Sequence, residues 1–339
     1  LLIGITKQGA WLLQPETVLE KVKSDTTENQ PDMVSLPAIK SGRMVFAVPG
    51  AGLLVEKIGG KTEVLACDIV FPVLHGTFGE DGTIQGLLEC AGLPYVGAGV
   101  LGSAIGMDKQ VAKDLWLREG LPVVDSITVR GSDRANHQFM ASLARKVEAR
   151  FGWPCFVKPV SCGSSVGTSK VRDFPSLEAA IDLALRYDEK ILIEKFISAR
   201  EIECAILGNE FPMAFSPGEI IPSHEFYDYE AKYKDPEGAV LRIPALLSPT
   251  QLDTIKTIAI KAFKACELSG MARVDFFIDK RTGDILLNEL NTIPGFTAIS
   301  MYPRMCEASG LPYAELLDKL IVLGLERFKN RNSLSYSYA

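Results

Sequence analysis

Two apolar runs in the last quarter of the chain, ARVDFFID (272–279) and ILLNELN (285–291), are separated only by KRTGD. A five-residue link containing glycine can join antiparallel neighbours but cannot carry a crossover helix, so the chain must form a hairpin here. Pairing Asp279 with Ile285 sets Asp275 opposite Glu289. Period-two alternation puts Glu289 and Asn291 on the face of Ile285 and Leu287, so an apolar stripe ends in a carboxylate and an amide. Two carboxylates that close repel unless a cation lies between them. With Asn291 they make an all-oxygen set of the kind Mg²⁺ takes, in which water and phosphate complete the shell. A one-residue slip would move Glu289 to the other face and leave only a solvated strand end, so spacing alone keeps both readings open.

Composition narrows the ligand classes. The chain has 339 residues, 47% hydrophobic and 23% charged, enough for two or three cores. A net charge of −6 without any Lys/Arg run argues against nucleic acid. No stretch approaches the roughly 20 apolar residues of a membrane span, and no signal peptide is visible. The seven cysteines are odd in number, scattered and without CxxC spacing, which reads as free thiols of a reducing, cytoplasmic compartment. Cys162, in a glycine-serine loop, reads as a small filler. Three histidines exclude a His-rich metal site.

Strand-like and helix-like signals alternate through residues 1–106, from LLIGI to CDIVFPVLHG, the helix TIQGLLECAG closed by Gly92, and the short strand PYVGAG. These read as βα units of a parallel sheet, an α/β domain. A second, α+β unit spans 107–194: Asp108 caps a helix that stops at Gly120, and a helix capped by Ser176 follows PCFVKPV and GTSKV. The third unit, 195–339, carries the hairpin, a long helix from Ser248 and a final amphipathic helix from Tyr313 to Phe328. The polar-aromatic stretch of about 217–238 is longer than an ordinary connection and reads as a lid.

Three further stretches carry chemistry. In FVKPVSCGSSVGTSKV (156–171) a strand delivers Lys158 and a small-residue loop, Ser161 to Gly167, offers backbone N–H groups to phosphate. It is not a P-loop, because the lysine precedes the glycines; a flexible hairpin is the plainer alternative. Lys109 is a second cation suited to phosphate. VLHGTFGEDGTIQG (73–86) ends a strand in His75 and a tight turn, where ligands of α/β sheets collect. Glu194 closes a strand at the joint of two units, beside Phe196 and Ile197, a place suited to a planar ligand.

In this order HGTFGEDGTIQG, GMDK, FVKPVSCGSSVGTSKV, ILIEKFISAREIECAILG, FYDYEAKY, MARVDFFID and LNELNTIPGFTAISMYP resemble the D-alanine-D-alanine ligases of the ATP-grasp superfamily, over residues of about 64 to 328. The resemblance implies an ATP-grasp fold with a Rossmann-like N-terminal domain, and a homodimer that uses ATP to join two D-alanines for peptidoglycan synthesis. It implies ATP phosphates near Lys109, Lys158, Ser164 and Ser165, with Lys232 also facing ATP. Glu194 would read adenine, Phe196 and Ile197 flank it, and Glu201 meet the ribose. Two Mg²⁺ ions, or Mn²⁺ in their place, would sit on Asp275, Glu289 and Asn291. Arg273 and the N–H of Gly295 would receive the developing oxyanion. His75 and Glu80 would hold the first D-alanine, and Lys232, Ser300 and Met301 the second, while Tyr233 and Ser164 close the lid.

One departure stands out. The family's G-G-x-S-x-E stretch has no counterpart, and LLIGI looks like the strand that follows it, so the natural protein is expected to carry residues before Leu1. Two alternatives remain: a D-alanine-D-lactate ligase, against which Tyr233 argues, and a nucleotide-binding relative without turnover.

Overall fold

The structure, a computed structural model, describes residues 1–18, 39, 41–57, 59–222, 239–297 and 300–335. The first sheet contains β1 (Ile3–Ile5), β2 (Trp11–Leu13), β3 (Arg43–Val48), β4 (Gly52–Glu56) and β5 (Thr62–Leu65), in that order and antiparallel throughout. The parallel sheet expected from the sequence is therefore not what these strands build. The reason is connection length: β3 and β4 meet through a turn with Gly50 and Gly52 at φ 68° and 73°, far too short for the crossover that parallel neighbours need. What remains parallel is a bridge between Val70 and Tyr95, the two short segments read above as strands. Behind them α1 (Thr83–Ala91) ends at Gly92, φ 71°, as expected, and α2 (Val100–Met107) follows.

Asp108 then caps α3 (Lys109–Arg118), accepting from the Val111 N–H. After β6 (Ser126–Arg130), α4 (Gly131–Arg134) and α5 (His137–Arg150) come β7 (Cys155–Pro159), β8 (Ser169–Val171), α6 (Phe174–Ala184) and β9 (Lys190–Lys195). The sheet order is β6-β9-β7-β8. The cap of α6 is Asp173 rather than Ser176; Ser176 occupies the third helical position and answers back to the cap in a reciprocal capping box, while Phe174 and Pro175 open the helix.

The last unit holds β10 (Ala199–Gly208), β11 (Met213–Ala214), β12 (Gly218–Pro222), β13 (Ala239–Arg242), α7 (Pro249–Ala265), β14 (Gly270–Asp279), β15 (Ile285–Asn291), α8 (Met301–Ala308) and α9 (Tyr313–Asn332). Its sheet runs β13-β12-β10-β14-β15, with β11 on β10. Residues of α3 and α7, among them Trp116, Ile255 and Phe263, pack with Val274, Phe276 and Leu287 of the hairpin. Tyr302, Met305, Leu316 and Leu320 of α8 and α9 form a second core with Ala205, Leu207 and Met271. Trp116 is 1% exposed and its indole N–H donates to the Ala262 carbonyl at 3.2 Å. Trp116→Ala should cost about 3–5 kcal/mol in stability by chemical denaturation, the range for emptying a large aromatic site. A loss below about 1 kcal/mol would mean that the junction of α3 and α7 collapses to fill the gap.

The β14–β15 hairpin corrects the reading that opened this section. Ile278, not Asp279, faces Ile285, and the register shifts between Asp275 and Phe276 so that Asp275 still faces Glu289. Asn288 is the extra residue of this β-bulge. Leu287 and Leu290 are consequently buried on the core side, whereas Glu289 and Asn291 lie opposite Asp275 and Arg273 on the other face. The carboxylate and the amide do not share the face of Ile285 and Leu287, because the bulge resets the alternation.

On β12, Glu219 accepts from the Arg200 guanidinium at 2.7 and 2.9 Å and from Arg242 at 3.4 Å. The Arg200 hydrogen bonds, ahead of the charge of Arg242, hold its carboxyl below the ordinary value. A depressed folded value means that this stabilisation is present above the unfolded carboxyl value of about 4.3 and is lost as pH falls through the folded one. Glu219→Gln should therefore melt below the parent at pH 7, with the gap narrowing as pH falls below the unfolded carboxyl value. A gap independent of pH would contradict the assignment.

Candidate active site

The open face of β14 and β15 gathers charge. Arg273 donates to both oxygens of Asp275, at 2.8 and 2.7 Å, and its Nε lies 3.2 Å from Glu203. Asn291 Nδ2 donates to Asp275 Oδ2 at 3.0 Å. Glu289 lies 3.8 Å from the ammonium of Lys109. Burial opposes the charge of Arg273, but the carboxylates of Asp275 and Glu203 outweigh it and push its pKa well above the ordinary value.

Opposite stands the loop after β7. Lys109 Nζ donates to the carbonyls of Cys162 at 2.8 Å and Val160 at 3.4 Å, which pins the loop to the first turn of α3. Ser164 and Ser165 both adopt positive φ, 51° and 58°, a conformation that costs a non-glycine residue of order 1–3 kcal/mol and persists where the surroundings dictate it. Ser161 N–H donates to Asp188 at 2.6 Å and closes the loop's base. Lys158 lies 2.6 Å from Glu194 Oε2 and 3.5 Å from Asn288 Oδ1, so the bulge residue meets β7. Cys162 is a free thiol raised by burial, in line with the filler reading, and the other six cysteines are unpaired as well.

The turn from His75 to Gly82 docks against NTIPGF. Glu80 is 9% exposed and accepts from the N–H groups of Gly76 at 2.7 Å and Ile293 at 3.0 Å. Burial raises its pKa despite these bonds. His75 Nδ1 lies 3.0 Å from the Ile293 carbonyl, which can only accept, so Nδ1 carries the proton. Glu80, Lys109, Gly163, Glu289 and Asn291 line one small cleft. A larger cavity beside β1 and β2 has apolar walls instead, including Ile3, Trp11, Leu53 and Phe71.

The remaining expected residues fall at the margins. Phe196 packs on Phe156 at 6.0 Å, with Lys170 Nζ 4.3 Å above its ring; Ile197 and Glu201 are half-buried. A Cβ on Gly295 would lie 2.8 Å from Ser300 Oγ, so the glycine keeps this turn close to Ser300. The Ser300 hydroxyl also accepts from the Thr297 N–H at 3.0 Å and shares a hydrogen bond with the Thr297 hydroxyl at 2.8 Å. Met301, expected in a substrate pocket, is 6% exposed and belongs to the core under α8. Lys232 and Tyr233, and most of the expected lid, lie outside the described residues.

Three residues escaped the sequence reading. Lys113 is 2% exposed, lies 2.7 Å from Glu194 Oε1 and donates to the Val124 carbonyl at 2.9 Å; one turn after Lys109 on an amphipathic helix, it carried a readable signal. Glu203, two residues from Glu201, carried one in its alternation. Asn288 carried none, since nothing local announces a bulge.

Asp275, Glu289 and Asn291 carry the oxygen donors that suit a hard divalent cation, and here Arg273 and the Asn291 amide N–H occupy the Asp275 oxygens. Among the described residues no three His, Cys, Asp or Glu side chains gather for a metal, so an ion here would rest on two carboxylates, an amide and substrate oxygens. That is the manner of Mg²⁺ rather than of a closed structural site. A small-residue loop that follows the Lys158 strand on one antiparallel sheet thus faces a carboxylate-bearing hairpin on another, the arrangement that the ATP-grasp resemblance implies.

Comparison with known proteins agrees. Residues 1–98 match the family described as D-ala D-ala ligase N-terminus and residues 115–322 that described as D-ala D-ala ligase C-terminus. A D-alanine--D-alanine ligase of Treponema denticola is 49% identical over 333 residues, 98% of this chain and 89% of the relative. The structure of the D-alanine-D-alanine ligase from Coxiella burnetii superposes with a TM-score of 0.78 at 38% identity, over 98% of this chain and 86% of that one. The VanG D-Ala:D-Ser ligase from Enterococcus faecalis gives 0.76 at 36% identity, over 95% and 88%. The chain belongs to the D-alanine-D-alanine ligase family. Among the described residues no helix is long and apolar enough to cross a membrane.

Proposed function

We propose that this chain is an ATP-dependent ligase that joins two D-alanines into D-alanyl-D-alanine for peptidoglycan synthesis, acting in the cytoplasm as a homodimer built of units 1–106, 107–194 and 195–339. The observation that carries the reading is the single cleft lined by Glu80, Lys109, Gly163, Glu289 and Asn291, which brings the first-substrate turn, the phosphate loop and the carboxylate hairpin together.

In this reading Lys109, Lys158 and the N–H groups around Ser164 and Ser165 neutralise and orient the ATP phosphates, with Lys232 beside them. Glu194, Phe196, Ile197 and Glu201 hold the adenosine. Asp275, Glu289 and Asn291 hold two Mg²⁺ or Mn²⁺ ions, which when bound offset the negative charge of the phosphates. The turn of His75 and Glu80 positions the first D-alanine so that its carboxylate attacks the γ-phosphorus, giving an acyl phosphate and ADP. The amine of the second D-alanine, held by Lys232 and Ser300 above the buried Met301, then attacks the carbonyl and phosphate leaves. Arg273 and the Gly295 N–H donate to the oxygen on which charge develops. Ser164 and Tyr233 close over the site and keep water from the acyl phosphate.

The test is D-alanine-dependent phosphate release from ATP and Mg²⁺, with L-alanine as control and with D-lactate or D-serine offered beside D-alanine. Mainly dipeptide of D-alanine is expected. Mainly depsipeptide or the D-serine product would replace the second substrate, and ATP binding without release would leave a nucleotide-binding relative.

A further inference from the structure

Behind Lys158 and Glu194 lies a buried ammonium, that of Lys113, that the proposed chemistry does not use. Lys109 and Lys113 occupy the same face of α3, one turn apart. Lys109 faces the cleft, whereas Lys113 turns inward, 2% exposed, to Glu194 at 2.7 Å and the Val124 carbonyl at 2.9 Å. Glu194, its side chain 5% exposed, gives its other oxygen to Lys158 at 2.6 Å, and Lys158 reaches Asn288 of the bulge. The Val124 segment is itself tied to β15: Val124 N–H donates to the Leu287 carbonyl at 3.1 Å, and Leu287 N–H to that of Pro122 at 2.8 Å. One ammonium therefore joins α3, β9 and, through Val124, the strand that carries Glu289.

Stability alone does not account for such an arrangement. Burying two lysines on one carboxylate costs desolvation, and an apolar side chain of the same length would fill the space of Lys113 as well or better. What an apolar residue would not do is occupy one oxygen of Glu194 and so turn the other toward Lys158. Without Lys113 the carboxylate is free to rotate, and the Lys158 ammonium loses its fixed distance from the cleft.

We propose that Lys113 is a positioning residue: it touches no substrate and fixes Lys158, through Glu194, for the phosphates of ATP. The assignment rests on the reading of Lys158 as a phosphate ligand. The test measures ATP affinity by titration calorimetry, with melting temperature and the KM values for ATP and D-alanine, in Lys113→Met, Lys158→Met and the double variant of the full chain. Lys113→Met should weaken ATP about tenfold, the lower end for loss of a group that orients a ligand-binding residue. KM for ATP should rise in step while KM for D-alanine stays within about twofold, and the double variant should bind ATP no more weakly than Lys158→Met alone.

Unchanged ATP affinity in Lys113→Met, beside a loss in Lys158→Met, overturns the positioning role and spares the site. So does a double variant in which the two losses multiply. Unchanged affinity in Lys158→Met overturns the phosphate assignment, and the positioning role with it. If Lys113→Met does not fold, the Lys113→Met/Glu194→Gln pair removes both partners and takes its place. Because Glu194 is itself read as an adenosine residue, the pair is compared with Glu194→Gln alone: it should bind ATP no more weakly, and a further loss of affinity would overturn the inference.

Discussion

Glu289→Gln should leave a folded protein whose kcat falls by at least about a hundredfold. Glutamine has the shape of glutamate and can keep its place opposite Asp275 across the bulge, so the loss is one of charge. That charge is asked to hold a divalent ion over ATP, a contribution of several kcal/mol to the transition state, and each 1.36 kcal/mol is tenfold in rate. The loss should be accompanied by a higher Mg²⁺ requirement, because Asp275 and Asn291 remain. The circular dichroism spectrum should be unchanged, and the tie to Lys109, a separation of 3.8 Å on a partly exposed side chain, is too weak for its removal to unfold the site. Ordinary turnover at ordinary Mg²⁺ would refute the metal assignment and return Glu289 to a surface acid.

The second large effect is expected at Arg273. Arg273→Lys retains the positive charge between Glu203 and Asp275 but loses the planar fork that meets both oxygens of Asp275. If that fork also presents a donor to the oxyanion, kcat should fall by about 10²- to 10³-fold, the range for removing one such donor. ATP affinity should change little, which separates this variant from Glu289→Gln. A variant with parental kcat would show that Arg273 is only the counter-ion of a buried acid pair. Loss of ATP binding together with turnover would instead make it part of the metal site.

Much of this site was legible because its chemistry needs particular residue types at strand ends and in small-residue loops. Asp275, Glu289, Lys109 and Lys158 could be read because an acid or lysine at the end of an apolar strand or in the first turn of a helix is conspicuous. The pairing of Asp275 with Glu289 was expected from a hairpin register one residue out, and it emerged because the Asn288 bulge compensates. The inward or outward sense of β15 was not legible, since a bulge leaves no local mark and inverts every later side chain. Nor was the antiparallel first sheet: runs such as RMVFAV and GLLVE suit either kind of sheet, and only the short turn at Gly50 decides between them. Asp173 took the cap expected of Ser176 because both residues are cap formers three apart, and Pro175 suits only the first turn of the earlier start.

The docking of Glu80 and His75 on Ile293 joins positions 213 and 218 residues apart. A ribosome makes the turn long before its receptor, so while the positions between them are being made the Glu80 carboxyl lacks one of its two backbone donors. The cleft that Glu80 lines with Asn291 thus cannot form on a nascent chain until NTIPGF has left the exit tunnel, and contacts of such span are slow to close. A fragment that ends between Gly167 and Asp275 carries the loop of Ser161 to Gly167 without the hairpin of Asp275 and Glu289.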